Sequence, residues 1–324
     1  MPFSSLNILF LFLLCLGMSF TEIEASISRD DSALRRLKTL FETPENEIDF
    51  TGAKITIDHI IAPSQNSEEV TAAIDEMVQK IQVMTGDNAP ATVRLGAIRK
   101  YLYEKGPWND YQAFQYDFTD PMGTNISSKL LSHYIETKKG NCVSMPMLFI
   151  ILADKMGLDV SASTAPNHVL IKFTDPETNA TFNIEATSGG GFARDKWYQE
   201  QMNITDKALQ TGIYLQKLTR RETLAVMAIT VGEFYLKQNQ FTKALEVFEL
   251  VLKFYPKSVF SMLKAGSSYS GLIERDFLSK YKNTSEIPIQ DQKRLYEYLN
   301  QNRSYFSKAE SLGWQEPTNK MSNR

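Results

Sequence analysis

The chain has 324 residues, of which 43% are hydrophobic and 23% charged, and its formal net charge at pH 7 is -3. These values describe a globular chain with room for two domains of ordinary size and leave no case for disorder. The charges are interspersed and nearly balanced, which removes the electrostatic footprint of a nucleic-acid partner, and no base-reading motif is present.

No charged side chain precedes Glu22, and Leu6 to Phe20 form an apolar run of signal-peptide length, short for a membrane span. Residues 1–26 therefore read as an export signal, with cleavage near Gly17-Met18-Ser19 or near Ala25-Ser26, and the mature protein is expected in the periplasm or secreted. An uncleaved membrane anchor is the alternative. Cys15 lies within the apolar run, so a processed chain keeps Cys142 alone. A single cysteine cannot form an internal disulfide, and in an oxidising compartment it is better explained as a working or deeply buried thiol.

Apolar residues then recur at helical spacing over Leu34 to Phe41, Val70 to Ile81 and Val93 to Leu102, predicting three helices. Trp108, Tyr111, Phe114, Tyr116 and Phe118 crowd an irregular segment that ends in a turn around Asp120-Pro121, and they serve either as core or as a cleft wall. Ser127 or Ser128 is expected to cap a short helix carrying Leu130, Leu131, Tyr134 and Ile135.

The stretch from Lys138 to Gly157 organises the rest. Met147 to Ala153 is apolar all round, the mark of a helix buried on every side. Pro146 has no N–H to give the carbonyl of Cys142, so the helix must begin close to Cys142. At a helix entrance, with Lys138 and Lys139 just upstream, a thiol is expected to be nucleophilic near neutral pH. The rival reading is a small buried hydrophobe.

Strands are expected over Leu158 to Thr164, Val169 to Phe173 opened by His168, and Ala180 to Glu185, with Ala165-Pro166-Asn167 as a loop. A six-residue turn over 174–179 pairs Phe173 with Ala180 and sets His168 directly opposite Glu185. It also places Val169, Ile171 and Phe173 on one face with Ile184, Phe182 and Ala180. A carboxylate facing an imidazole can fix its tautomer and turn the other nitrogen to the thiol.

These residues carry a resemblance. Gly140-Asn141-Cys142, Ala165-Pro166-Asn167-His168-Val169 and Asn183-Ile184-Glu185-Ala186-Thr187, in that order and on those element types, resemble the transglutaminase-like core. This is the papain-like family in which Cys opens a buried helix and His and Asp follow on antiparallel strands. The resemblance covers roughly residues 65–195 and is strongest to the bacterial SirB-like branch, several of whose members carry tetratricopeptide repeats. It implies Cys142, His168 and Glu185 as nucleophile, base and orienting acid. Glu185 stands where the family usually has Asp, and SirB-like members often lack the cysteine that this chain keeps. Oxyanion donors would be the Cys142 backbone N–H and a second group, for which Asn141 and Tyr116 are candidates.

His59 and His133 are the other histidines, and no HxxxH, CxxC or clustered carboxylates occur, so neither a metal nor a cofactor is indicated. The glycine turn Ser188 to Gly191 lacks the Lys-Ser/Thr of a phosphate loop. Asn125, Asn179, Asn203 and Asn283 head glycosylation acceptor triplets, which matter only in a host that glycosylates exported chains.

From Glu222 onward the pattern is that of helical hairpins. Gly232, Tyr235, Ala244, Phe248 and Pro256 match a tetratricopeptide repeat, and one repeat length later come Gly266 and Tyr269. The second repeat is interrupted over Ile273 to Asn302, which holds its own helical stretch at Gln290 to Leu299, and resumes near Phe306 to Leu312. The chain is thus expected to be α+β, with a transglutaminase-like domain over 27–218 and an all-α tetratricopeptide-like domain over 222–324. The activity expected is thiol acyl transfer on a peptide or amide, with hydrolysis favoured over transamidation. The alternative is a non-catalytic scaffold that binds a protein partner through the repeat helices.

Overall fold

The computed structural model describes residues 33–316. The expected export signal, its cleavage region and Cys15 lie outside the described residues. Residues 33–42 form a helix, α1, in which Ala33, Leu37 and Phe41 are buried at i, i+4 spacing. A second compact unit begins at Thr43, and everything below concerns it.

Four helices lead into the central one. They are α2 (Phe50–Ile61), α3 (Ser67–Thr85), α4 (Ala91–Tyr103) and α5 (Leu131–Thr137). Asn66 caps α3 by accepting from the N–H groups of Glu68 and Glu69, and Gly86 at φ 71 ends it, so the helix outruns its apolar stripe at both ends. The cap of α5 is not the expected Ser127 or Ser128, which lie in a 3-10 turn, Ile126–Lys129. Asp58 of α2 instead accepts the Leu131 N–H at 2.8 Å, while its other oxygen is paired with Lys54. Lys54 and Asp58 are both fully buried, and Lys54 also donates to the Lys129 carbonyl. Burial pushes the Asp58 carboxyl above its ordinary pKa, against the pull of Lys54.

The central helix α6 (Ser144–Lys155) is buried from Ser144 through Ala153 and packs against α2, α3, α4 and α5 and against two strands. Met145 donates to Asn141 and Met147 to Val143, so the ladder steps over the Cys142 carbonyl where Pro146 has nothing to donate. A two-residue parallel pair, β1 (Gln115–Tyr116) with β2 (Lys139–Gly140), brings the chain to this entrance.

The main sheet is antiparallel in sequence order: β3 (Val160–Ala165), β4 (His168–Thr174), β5 (Thr181–Glu185) and β6 (Gly191–Ala193). The alternation of faces is as expected, but the β4–β5 register is not. Phe173 pairs with Phe182 and Ile171 with Ile184, a slip of two from the predicted pairing. The loop still has six residues, now 175–180. Asp175 accepts from the Glu177 N–H and the Thr178 hydroxyl, Asn179 takes the left-handed conformation at φ 55, and Asp175 N–H bonds the Ala180 carbonyl. These contacts pull Asp175 and Ala180 out of the strands and let Thr174 pair with Thr181. The outer edge of β3 is covered by chain: Leu215 and Leu218 donate to the Thr164 and Ala162 carbonyls, and Thr223 accepts from the Ala162 N–H.

Helices α7 (Asp195–Gln201) and α8 (Asp206–Thr211) lead to α9 (Arg220–Lys237), α10 (Phe241–Phe254), α11 (Val259–Ile273) and α12 (Ile289–Ser311). Helix α9 pairs with α10 and α11 with α12. Gly232 permits the first pairing, since a Cβ there would lie 2.5 Å from the Phe248 ring; Gly266 does the same for the second, against Phe306 at 2.6 Å. The predicted stretch 290–299 and the resumption near 306 are one continuous helix, α12. Positions 218–222 are no break, because α9 packs on α2 and β3. Its first residue, Arg220, holds Asp154 of α6 through two nitrogens at 2.6 and 3.0 Å.

Candidate active site

Cys142 reaches its position through short-range chemistry. Gly140 must be glycine because a Cβ there would lie 2.5 Å from the ring of Tyr134. Asn141 then accepts from the N–H groups of Val143 and Ser144 at 2.9 and 3.2 Å, closing the first turn in the manner of a helix cap. Cys142 is left in that turn, partly exposed, as a free thiol.

His168 arrives from the tip of a hairpin. Ala165 pairs with His168 across the two-residue turn Pro166-Asn167, with Asn167 left-handed at φ 54, the backbone that a proline-then-asparagine turn favours. The Asn167 carbonyl lies 3.9 Å from the Cys142 sulfur, and Cys142 and His168 line the same cavity, close enough for the sulfur to favour the charged form of the ring. Glu185 is not directly opposite His168, as the slipped register places it across from Leu170. It is a diagonal neighbour on the same face, and its longer side chain spans the offset: His168 Nε2 to Glu185 Oε2 is 2.7 Å. With Nε2 donating to the carboxylate, Nδ1 is the nitrogen left for the sulfur.

Glu185 is met by four donors. His168 and Tyr198, whose hydroxyl donates at 2.7 Å, share Oε2, while the Thr187 N–H at 3.0 Å and the Thr187 hydroxyl share Oε1. Burial alone would raise this carboxyl; the bonds from His168, Thr187 and Tyr198 overcome it and bring the pKa down to about 2. For His168 burial opposes the charged form, but the Cys142 and Glu185 partners outweigh it and raise the pKa to about 9. At neutral pH the ring is an imidazolium held between a carboxylate and a sulfur.

Tyr198 is the member that sequence reasoning missed. It is fully buried, with its ring centroid 6.2 Å from that of His168, and burial followed by the Glu185 charge pushes its hydroxyl far above the ordinary tyrosine value. It sits on α7, after the last motif, and no spacing in the sequence points to it. Thr187 was legible, since it closes the segment Asn183 to Thr187.

The cation beside the sulfur is His168. Lys138 lays its ammonium 4.2 Å from the Phe114 ring centroid, with its pKa lowered by burial first and then by Lys80. Asn141 lines the site cavity, but its amide donates to the Ser128 carbonyl and hydroxyl at 3.1 and 2.9 Å, so it is committed to the turn and is not free for an oxyanion. Tyr116 is paired with Gly140 in β1–β2 and gives its hydroxyl to the Pro121 carbonyl. Of the expected aromatic wall, Phe114 is core, edge-on to Tyr134 at 5.0 Å, whereas Tyr111 and Phe118 are exposed. The cavity of about 300 Å³ that opens on Cys142 and His168 is walled instead by α9 and α11.

A family model described as Transglutaminase-like superfamily matches residues 68–228. That span contains α3 through the first half of α9, and with them Cys142, His168, Glu185 and Tyr198. No curated protein and no solved structure matches the chain.

Proposed function

We propose, on the premise of that superfamily match, that this protein is an exported thiol acyl-transfer enzyme, a hydrolase of amide or peptide bonds. Cys142 is its nucleophile, His168 its acid and base, and Glu185 the orienting carboxylate. The observation that carries the reading is Cys142 at the entrance of the buried helix, sharing one cavity with a His168 ring that is hydrogen-bonded at 2.7 Å to the Glu185 carboxylate. Export rests on the uncharged apolar N-terminal run. The helix pairs from α9 onward are read as tetratricopeptide-like, in keeping with the SirB-like branch, and as a cap on the catalytic part.

The Cys142 thiolate attacks the amide carbonyl carbon, and the oxyanion is met by the Cys142 backbone N–H and one further donor. Collapse breaks the C–N bond as the His168 imidazolium gives its proton to the leaving nitrogen, leaving a thioester. Neutral His168 then takes a proton from water, the hydroxide adds to the thioester carbon, and the C–S bond breaks to return thiolate and imidazolium. Hydrolysis is favoured over transamidation because water is always present and no acceptor-amine site is identified.

Iodoacetamide alkylation of Cys142 against pH, in wild type and His168→Ala, tests the reading. Alkylation at neutral pH should be fast in wild type and should slow in the variant, which lacks the neighbouring imidazolium. Amide hydrolysis should fall about a hundredfold to ten-thousandfold. Ordinary thiol behaviour in both proteins, or no alkylation without denaturant, would replace this reading by the scaffold alternative.

A further inference from the structure

The cavity on Cys142 and His168 belongs jointly to the two halves of the unit. Cys142 and Val143 contribute from the entrance of α6 and residues 164–169 from the β3–β4 hairpin, while α9 supplies Val226 and Ile229 and α11 supplies Val259, Phe260 and Leu263. Those five side chains are apolar, and Val226, Ile229 and Val259 are buried. Several of the polar groups lining the cavity are already partnered. The Lys129 ammonium and the Glu233 carboxylate neutralise each other at 2.8 Å, with side chains only 10% and 17% exposed. Ser258 donates to the Ser261 hydroxyl, and Thr164 bonds the Tyr255 hydroxyl. Lys264 places its ammonium 5.0 Å from the Phe260 ring centroid. A charged or amide side chain entering among the five apolar residues would shed its water without a partner there, whereas an aliphatic or aromatic one would gain from burial. About 300 Å³ is the lower end of the range for small-molecule sites, enough for one large apolar side chain beside the bond that is attacked.

We infer that the acyl group this enzyme transfers carries a large apolar side chain, leucine-like or phenylalanine-like, and that α9 and α11 form the pocket selecting it. The inference rests on the thiol-enzyme reading above and adds the substrate class. It also gives the helical half a catalytic use: without α9 and α11 the nucleophile has no specificity wall.

The test uses the full-length processed protein and the chloromethyl ketones of N-acetyl-leucine, N-acetyl-phenylalanine, N-acetyl-aspartate and N-acetyl-lysine. In each, the Cys142 sulfur forms a bond to the methylene carbon and chloride leaves. Labelling rates are read by intact mass, and each is divided by the rate with iodoacetamide, which carries no side chain. The leucyl and phenylalanyl reagents should label about tenfold to a hundredfold faster than the charged pair on this scale. In Ile229→Asp that preference should collapse. Leu263→Asp, at a less buried position, should show the same collapse should the first variant misfold. Equal normalised rates for all four reagents, with Cys142 alkylated by iodoacetamide, would overturn the apolar pocket and leave the thiol enzyme standing. Failure of Cys142 to react even with iodoacetamide would overturn both.

Discussion

Replacing Glu185 by glutamine tests the electrostatics of the site more sharply than removing the side chain. The carboxylate presents two oxygens to four donors, two on each. An amide has one oxygen, so whichever way it is turned, an NH2 faces either His168 and Tyr198 or the Thr187 N–H and hydroxyl. The charge partner of His168 is lost in both orientations. In wild type the His168 pKa rises from 6.5 to about 9. Because the folded value lies above the unfolded one, this contribution to stability is complete below pH 6.5 and is lost as pH rises through 9. Glu185, lowered from 4.5 to about 2, contributes above pH 4.5 and loses that contribution as pH falls through 2. The pair is therefore worth most between pH 4.5 and 6.5. A shift of two to three pKa units corresponds to about 3 kcal/mol, counted once on the Glu185 side because the His168–Glu185 contact enters both shifts and Cys142 supplies part of the His168 one. The side chains are only 13% and 9% exposed, so solvent screening removes little of it. Urea unfolding of wild type and Glu185→Gln should give a gap of about 3 to 5 kcal/mol at pH 5.5, the excess coming from the mismatched donors. By pH 10 the gap should narrow to about 1 to 2 kcal/mol. A gap that stays constant between these pH values would refute the ion pair.

Four further outcomes are expected. In a pH profile of kcat/KM, activity should decline as pH rises through about 9, where His168 loses the proton that the leaving group needs. Tyr198→Phe removes one donor from Glu185, so acid unfolding followed by circular dichroism should move to higher pH as the folded pKa of Glu185 climbs towards its unfolded 4.5. Gly232→Ala forces a methyl against the Phe248 ring and should cost about 1 to 3 kcal/mol in thermal unfolding, with α9 and α10 pushed apart. Mass spectrometry of protein from its natural host should find the mature chain beginning between Phe20 and Ile27.

What the sequence determined by itself was local. Pro146 forbids a bond to the Cys142 carbonyl whatever surrounds it, and the apolar run after it can be covered only by a helix buried on all sides, so the position of Cys142 at a helix entrance was legible. Face alternation likewise put His168 and Glu185 on one side of the sheet, and the 34-residue recurrence of Gly232 at Gly266 marked the two helix pairs. The tertiary structure decided whatever depends on segments meeting from far apart. Alternation has a period of two, so it is blind to a slip of two; the turn contacts of Asp175 and Asn179 chose the register, and Glu185 reaches His168 along a diagonal. The cap of α5 comes from Asp58, 73 positions away, the fourth donor to Glu185 comes from Tyr198 on a helix without a motif, and the cavity wall facing Cys142 comes from α9 and α11. Backbone chemistry acts between near neighbours and is written in order along the chain. Packing acts between surfaces, and which surfaces meet is settled only when the whole chain has folded.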